Sequence, residues 1–219
     1  MAITVETKDT TALSDAELSD MADLSAVRQG YDVGFLSKAR EDWVLITQAT
    51  EAGKLAGFSF CTLERIGGTP CVLVGLASIR RGPKADGVLA AVIAEQLRRA
   101  VLAFPDEDVL VATRLVDASG YAAFDGLEDV VPRPGHKPTG EERAWARRLA
   151  KRFGAEGRVN DRTFQVESNG EQPGILDYLD GAPDEATQAF FDGVDIERGD
   201  ALIVFGWAMA EYLAPLASR

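Results

Sequence analysis

Cys71-Val-Leu-Val-Gly-Leu-Ala-Ser-Ile79 runs into Arg80-Arg-Gly-Pro-Lys-Ala-Asp86 and then into Gly87-Val-Leu-Ala-Ala-Val-Ile-Ala-Glu-Gln-Leu-Arg-Arg-Ala-Val-Leu-Ala-Phe104. The continuous apolar run fits a strand covered on both faces. Leu89, Val92, Ile93, Leu97, Ala100, Val101 and Phe104 recur at helical spacing, which gives the following helix one core-facing stripe. The start of a helix carries unpaired N–H groups and the positive end of the dipole, a combination suited to phosphate. Arg80, Arg81 and Lys84 stand at that start, in a chain of net charge −12. A basic island on an acidic chain is a candidate anion site. The plainer alternative is a strand–loop–helix connection that binds nothing.

Upstream, Trp43–Gln48, Leu55–Glu64 and the Cys71 run are separated by Glu51-Ala-Gly53 and Gly67-Gly68. They predict an antiparallel meander. A two-residue turn at Gly67-Gly68 pairs Ile66 with Thr69, Glu64 with Cys71 and Cys61 with Val74. The two thiols then lie on opposite faces and form no disulfide; they serve as small buried hydrophobes. Ile3–Thr7 is a candidate first strand. Ser14-Asp-Ala-Glu17 is a capping box, followed by a stripe of Leu18, Met21, Leu24 and Ala26-Val27. Phe35–Arg40 reads as a second short helix.

Downstream, Val109–Thr113 follows the long helix as a buried strand, parallel to the Cys71 strand because the crossover is helical. Ser119–Phe124 is a helical segment, and residues 131–138 form a proline-rich link. Thr139-Gly-Glu-Glu142 is a second capping box, with Trp145, Leu149 and Phe153 as the buried face of its helix. Arg162–Glu167 and Asp200–Trp207 read as strands, and Pro183 as the first residue of a helix to about Phe191.

With 219 residues, 46% hydrophobic and 26% charged, the chain predicts one folded domain, 1–219, with an elaborated region at about 128–199. It has no apolar run long enough for a membrane span and no basic-then-apolar leader, so a cytoplasmic protein without a membrane partner is expected. The acidic balance argues against nucleic acid and mildly favours a cationic partner such as an amine, with solubility as the simpler use of the charge. Two cysteines and one histidine give no metal-ligand pattern.

The order strand, helices, meander, long helix, strand, helix, strand, strand resembles the GCN5-related N-acetyltransferase superfamily over roughly residues 1–127. That resemblance implies a mixed α/β (α+β) fold, a mostly antiparallel central sheet flanked by helices, and acetyl-CoA as co-substrate. The family's pyrophosphate loop has the pattern Arg/Gln-x-x-Gly-x-Gly/Ala. Lys84-Ala-Asp-Gly87-Val-Leu89 overlays it, with Lys84 for the Arg/Gln and Gly87 at the first small position. Leu89 departs at the second small position, next to the small Ala90. The resemblance places acetyl-CoA against Leu76, Ser78, Ile79, Arg80, Arg81, Lys84, Asp86, Gly87 and Val88. It also implies a tyrosine near the thioester sulfur. Tyr121 is the candidate, in Tyr-x-x-x-x-Gly-Leu where the family tends to have Tyr-x-x-x-Gly-Phe.

Acetyl transfer needs a neutral amine, so a group of pKa about 10 must lose its proton to a base. The oxyanion needs a backbone N–H, and the departing thiolate a proton donor, the role open to Tyr121. Glu64 and Asp117 are the base candidates. Their ordinary uses are a solvated hairpin end and a helix cap; that of Tyr121 is packing. His136 is a lone loop histidine, and Glu41 and Asp42 precede the Trp43 strand, with the acceptor side as one use and a solvated turn as the simpler account. Arg143, Arg147, Arg148, Lys151 and Arg152 form a basic helix face, for a phosphate or as charges offsetting nearby carboxylates. The expected function is an N-acetyltransferase acting on a small-molecule or protein amine. An idle acyl-CoA-binding or regulatory relative and a non-enzymatic interaction module are the alternatives. The elaborated region has two further uses, covering the acceptor cleft or building a homodimer face.

Overall fold

The computed structural model describes residues 2–25, 30–179 and 183–218. The strands are β1 (Ile3–Asp9), β2 (Leu45–Glu51), β3 (Lys54–Ile66), β4 (Thr69–Ile79), β5 (Val109–Leu115), β6 (Glu128–Val131), β7 (Gln165–Val166), β8 (Leu176–Asp177) and β9 (Ala201–Ala208). The main helices are α1 (Asp15–Leu24), α2 (Val33–Asp42), α3 (Ala85–Ala103) and α4 (Gly140–Arg152). Among the described residues the nine strands share one sheet, ordered β1-β2-β3-β4-β5-β9-β6, with β7 beside β9 and β8 beside β4. The pairs β4–β5 and β4–β8 are parallel and the others antiparallel. The fold is therefore the expected mixed, mostly antiparallel sheet flanked by helices, and the element order through β5 is the one the resemblance implied.

Local chemistry accounts for the frame. Gly67 and Gly68 both take positive φ, and the meander closes with Ile66 opposite Thr69, Glu64 opposite Cys71 and Cys61 opposite Val74, the register read from the turn. Both thiols are buried and free, and burial pushes Cys61 up to about 12 and Cys71 up to about 11. Ser14 and Thr139 each form a full capping box, with Glu17 and Glu142 reaching back. The α3 stripe is buried, and Gln96 donates 2.8 Å to Ser59 Oγ on β3, which fixes α3 over that face of the sheet. Strand alternation then turns Phe58 and Phe60 to the opposite face. Phe60 lies across from Leu76, which lines a cleft together with residues of α2 and the end of α4.

Several boundaries differ from the sequence reading. Trp43 is not in a strand; it caps α2, and β2 begins at Leu45. The helix α3 starts at Ala85, two residues early. Residues 118–124 form a 3-10 turn. Of the strand expected over Arg162–Glu167 only Gln165 and Val166 are paired, because Phe164 takes positive φ. Pro183 precedes the cap Asp184 of a short helix, Glu185–Gln188. The strands β6 and β8 were not anticipated. Ala26 and Val27 lie outside the described residues.

Candidate functional site

The parallel pairing of β4 with β5 covers three rungs, Cys71↔Leu110, Val72↔Val111 and Leu73↔Ala112. At the next residues β4 bulges: Cys61 faces Val74 and Phe60 faces Leu76, so Gly75 has no partner on β3. The ring of Trp43 presses on Gly75 so closely that a Cβ there would lie 1.9 Å from it. Thr113 on β5 bonds the Val74 carbonyl at 2.9 Å, the last described side-chain link before the two strands separate. Beyond it the edge of β4 faces a gap.

A segment of the same chain enters that gap. Leu176 and Asp177 pair with Ala77 and Ser78, and the Ala77 N–H donates 2.9 Å to the Ile175 carbonyl. The Ile175 N–H donates 3.0 Å to the Tyr31 hydroxyl, which burial holds well above the ordinary phenol range. Ile175, Leu176 and Tyr178 are buried, and the Tyr178 hydroxyl bonds the Asp86 carboxylate in the first turn of α3.

The basic loop is occupied from within as well. Lys84 forms an ion pair with Glu51. The Arg80 guanidinium donates 2.6 Å to the Leu55 carbonyl, and its N–H donates 2.8 Å to that of Ala56. Arg81 is exposed. Val88 is buried over Gly57, and Leu89 points into the core rather than into the loop. A Cβ on Gly87 would meet Ile3 at an ordinary 3.5 Å. Leu76, Ser78 and Ile79 are buried in β4. These nine positions thus form one neighbourhood, the end of β4 and the start of α3.

Tyr121 and Asp117 belong to one turn, 118–124 and its cap, whereas Glu64 is on β3. Tyr121 donates 3.0 Å to the Pro132 carbonyl and packs among Phe124, Phe190 and Phe191, where burial pushes its hydroxyl far up. Glu64 accepts 2.8 Å from Arg152 of α4. Asp117 caps the 118–124 turn by accepting 2.9 Å from the Ser119 N–H. Of the other α4 cations, Arg147 pairs with Asp161 and Lys151 with Glu156, Arg148 lies over the Trp145 ring, and the buried Arg143 Nε has no hydrogen-bond partner among the described residues. His136 bonds Glu142 at 2.8 Å, which ties the loop to the second capping box.

A cleft of about 520 Å3 lies on the α2 side of the sheet, within the range of small-molecule sites. Phe35, Trp43, Leu76, Phe153, Arg114 and Arg158 contribute to its wall, as do Asp42 and Arg152. Arg114 and Arg158 were missed in the sequence. The available signal was an arginine inside the apolar run Val109–Leu115, with the buried Thr113 and Leu115 on either side of it.

No family profile matches the chain and no curated relative is similar to it. Solved structures are similar in arrangement. An IAA acetyltransferase from Bacillus cereus is 8% identical, with 94% of this chain and all of that chain covered, at a TM-score of 0.44. The aminoglycoside 6'-acetyltransferase type Ii is 11% identical over 59% of this chain and 86% of its own, also at 0.44. A GNAT family acetyltransferase from Brucella melitensis in complex with acetyl-CoA is 16% identical over 57% and 83%, at 0.39. At these scores the fold stands on the strand order described above. Among the described residues no helix is long and apolar enough to cross a membrane.

Proposed function

We propose that the protein is a divergent member of the GCN5-related superfamily, an N-acetyltransferase that moves an acetyl group from acetyl-CoA to an amine. One observation carries the reading: β4 and β5 part at the Gly75 bulge, and α3 begins where β4 ends. This leaves a strand edge beside a helix N-terminus, suited to a thioester with phosphates attached. The amine nitrogen attacks the thioester carbon, loses its proton to a base, and the C–S bond breaks to release the thiolate. The Ala77 N–H is the candidate oxyanion donor, because it lies on that edge and is free once Ile175 withdraws. Lys84 and Arg80 meet phosphate after exchanging their present partners. Acetyl-CoA binding therefore requires residues 173–178 to leave β4.

Thermal unfolding with and without acetyl-CoA tests the reading. A ligand at 100 times its dissociation constant stabilises by about 2.7 kcal/mol, a clear shift. The double variant Lys84→Ala, Gly87→Asp is expected to lose that shift, and a panel of amines should then release free thiol. Absence of any shift at millimolar acetyl-CoA rejects the proposal. A shift without thiol release from any amine leaves an acyl-CoA-binding protein without turnover.

A further inference from the structure

Arg114 is a cleft cation largely withdrawn from solvent that pairs with no carboxylate among the described residues. It lies on β5 just beyond the residues paired with β4, and it lines the cleft together with Leu76. Its Nη1 donates a long 3.3 Å bond to the Phe153 carbonyl, and its guanidinium lies 5.0 Å from the centre of the Phe153 ring. The buried Nε has no hydrogen-bond partner among the described residues. No carboxylate of the described residues pairs with it. Arg158, on the same wall, spends its donors on the Glu167 and Gly154 carbonyls and adds a second positive charge. Burial, with Arg158 adding to it, lowers the Arg114 guanidinium to about 10, so it still carries its proton at neutral pH. The cleft's carboxylates Asp42, Glu167 and Glu171 are exposed. A partly buried guanidinium without an anion is costly, and its fork geometry matches a carboxylate.

We infer that Arg114 receives the carboxylate of the acceptor, so that the acceptor is an amino-acid-like molecule bearing both an amine and a carboxylate. The inference rests on the acetyltransferase reading for the word acceptor, and on the cleft alone for the carboxylate. Phe35, Trp43 and Phe153 add apolar wall for a side chain. An acceptor anchored at Arg114 lies beside β4, the strand proposed to hold the thioester.

The experiment is a panel of the common L-amino acids, their decarboxylated amines and 3-phenylpropanoate. Each is measured for binding by calorimetry and, with acetyl-CoA, for thiol release. Amino acids are expected to bind and turn over in preference to the matched amines, L-phenylalanine over phenethylamine for example. Arg114→Lys, which keeps the charge and loses the fork, is expected to raise KM for the amino acid at least about tenfold, with a smaller change in kcat. Thiol release that ignores the carboxylate overturns the inference and leaves the acetyltransferase reading standing. Carboxylate binding without thiol release from any member of the panel overturns that reading and the acceptor role with it. No binding by any carboxylate overturns the assignment of Arg114. The wild-type comparison of amine with amino acid decides the matter even if the variant fails to fold.

Discussion

The two halves of β4 have different neighbours. From Cys71 to Leu73 the strand lies between β3 and β5, paired on both sides and buried, as a central strand should be. From Leu76 to Ile79 it keeps β3, but its other edge has lost β5 and is met by a two-residue piece of chain from a hundred positions away. One half is held by a long ladder of a neighbouring strand, the other by a short one that few bonds retain. The same apolar sequence thus serves first as core and then as an edge that another group can take over. The dividing residue is Gly75, where the absence of a side chain admits Trp43 and sets the bulge.

Filling Gly75 should break the comparison most severely. Gly75→Val puts a branched side chain into the Trp43 ring and is expected to cost more than about 3 kcal/mol in urea unfolding, or to prevent folding. Ile175→Ala comes next. The side chain is fully buried, and its truncation should cost about 2 to 3 kcal/mol. Hydrogen exchange should then speed up at Ala77 while the amides of Cys71–Leu73 stay protected; equal acceleration in both halves would show that they are one unit. Tyr178→Phe removes the bond to Asp86 and is expected to lower stability by about 1 kcal/mol, with a larger relative gain in acetyl-CoA affinity as the segment detaches more readily.

A control from outside the site concerns Glu17. Burial alone would raise its pKa, yet the Lys8 ammonium and the Ser14 cap bring it down from 4.5 to about 2. Because the folded value lies below the unfolded one, its contribution is present above pH 4.5 and fades as the pH falls toward 2. Wild type and Glu17→Gln should therefore converge in stability over that window, with neither half of β4 affected selectively. The smallest effect is expected for Lys84→Ala. Its ion pair with Glu51 is exposed, so the melting temperature should not change measurably while phosphate-dependent binding falls.

What the sequence disclosed follows from how local each signal is. The meander register needed only Gly67-Gly68, and the two capping boxes needed four residues each. The α3 stripe is periodic over many residues and was plain, though its start at Ala85 was not, since Lys84 caps it without a side-chain bond. By contrast β8 is two residues long and follows Gly170, Pro173 and Gly174, a composition that reads as loop. Its pairing with β4 is a fact of tertiary structure with no periodic trace. At the site, the sequence displayed positive charge without showing where it is neutralised. Arg80, Lys84 and Arg152 carried the visible clusters and prove to have partners, whereas Arg114, a single letter in an apolar run, has none of opposite charge among the described residues. Glu64 and Arg152 were legible separately as hairpin end and helix face, and only the fold brings them together.

The pairing of β8 with β4 also bears on how the protein behaves in a crowd. An uncovered strand edge is a template for any other chain with a free edge of its own. Residues 173–178 cap that edge as a built-in shield, so a change that loosens them uncovers a sticky seam in proportion to the time spent open. Self-association of such variants should grow with the square of concentration, and a ligand lying along the edge of β4 should suppress it.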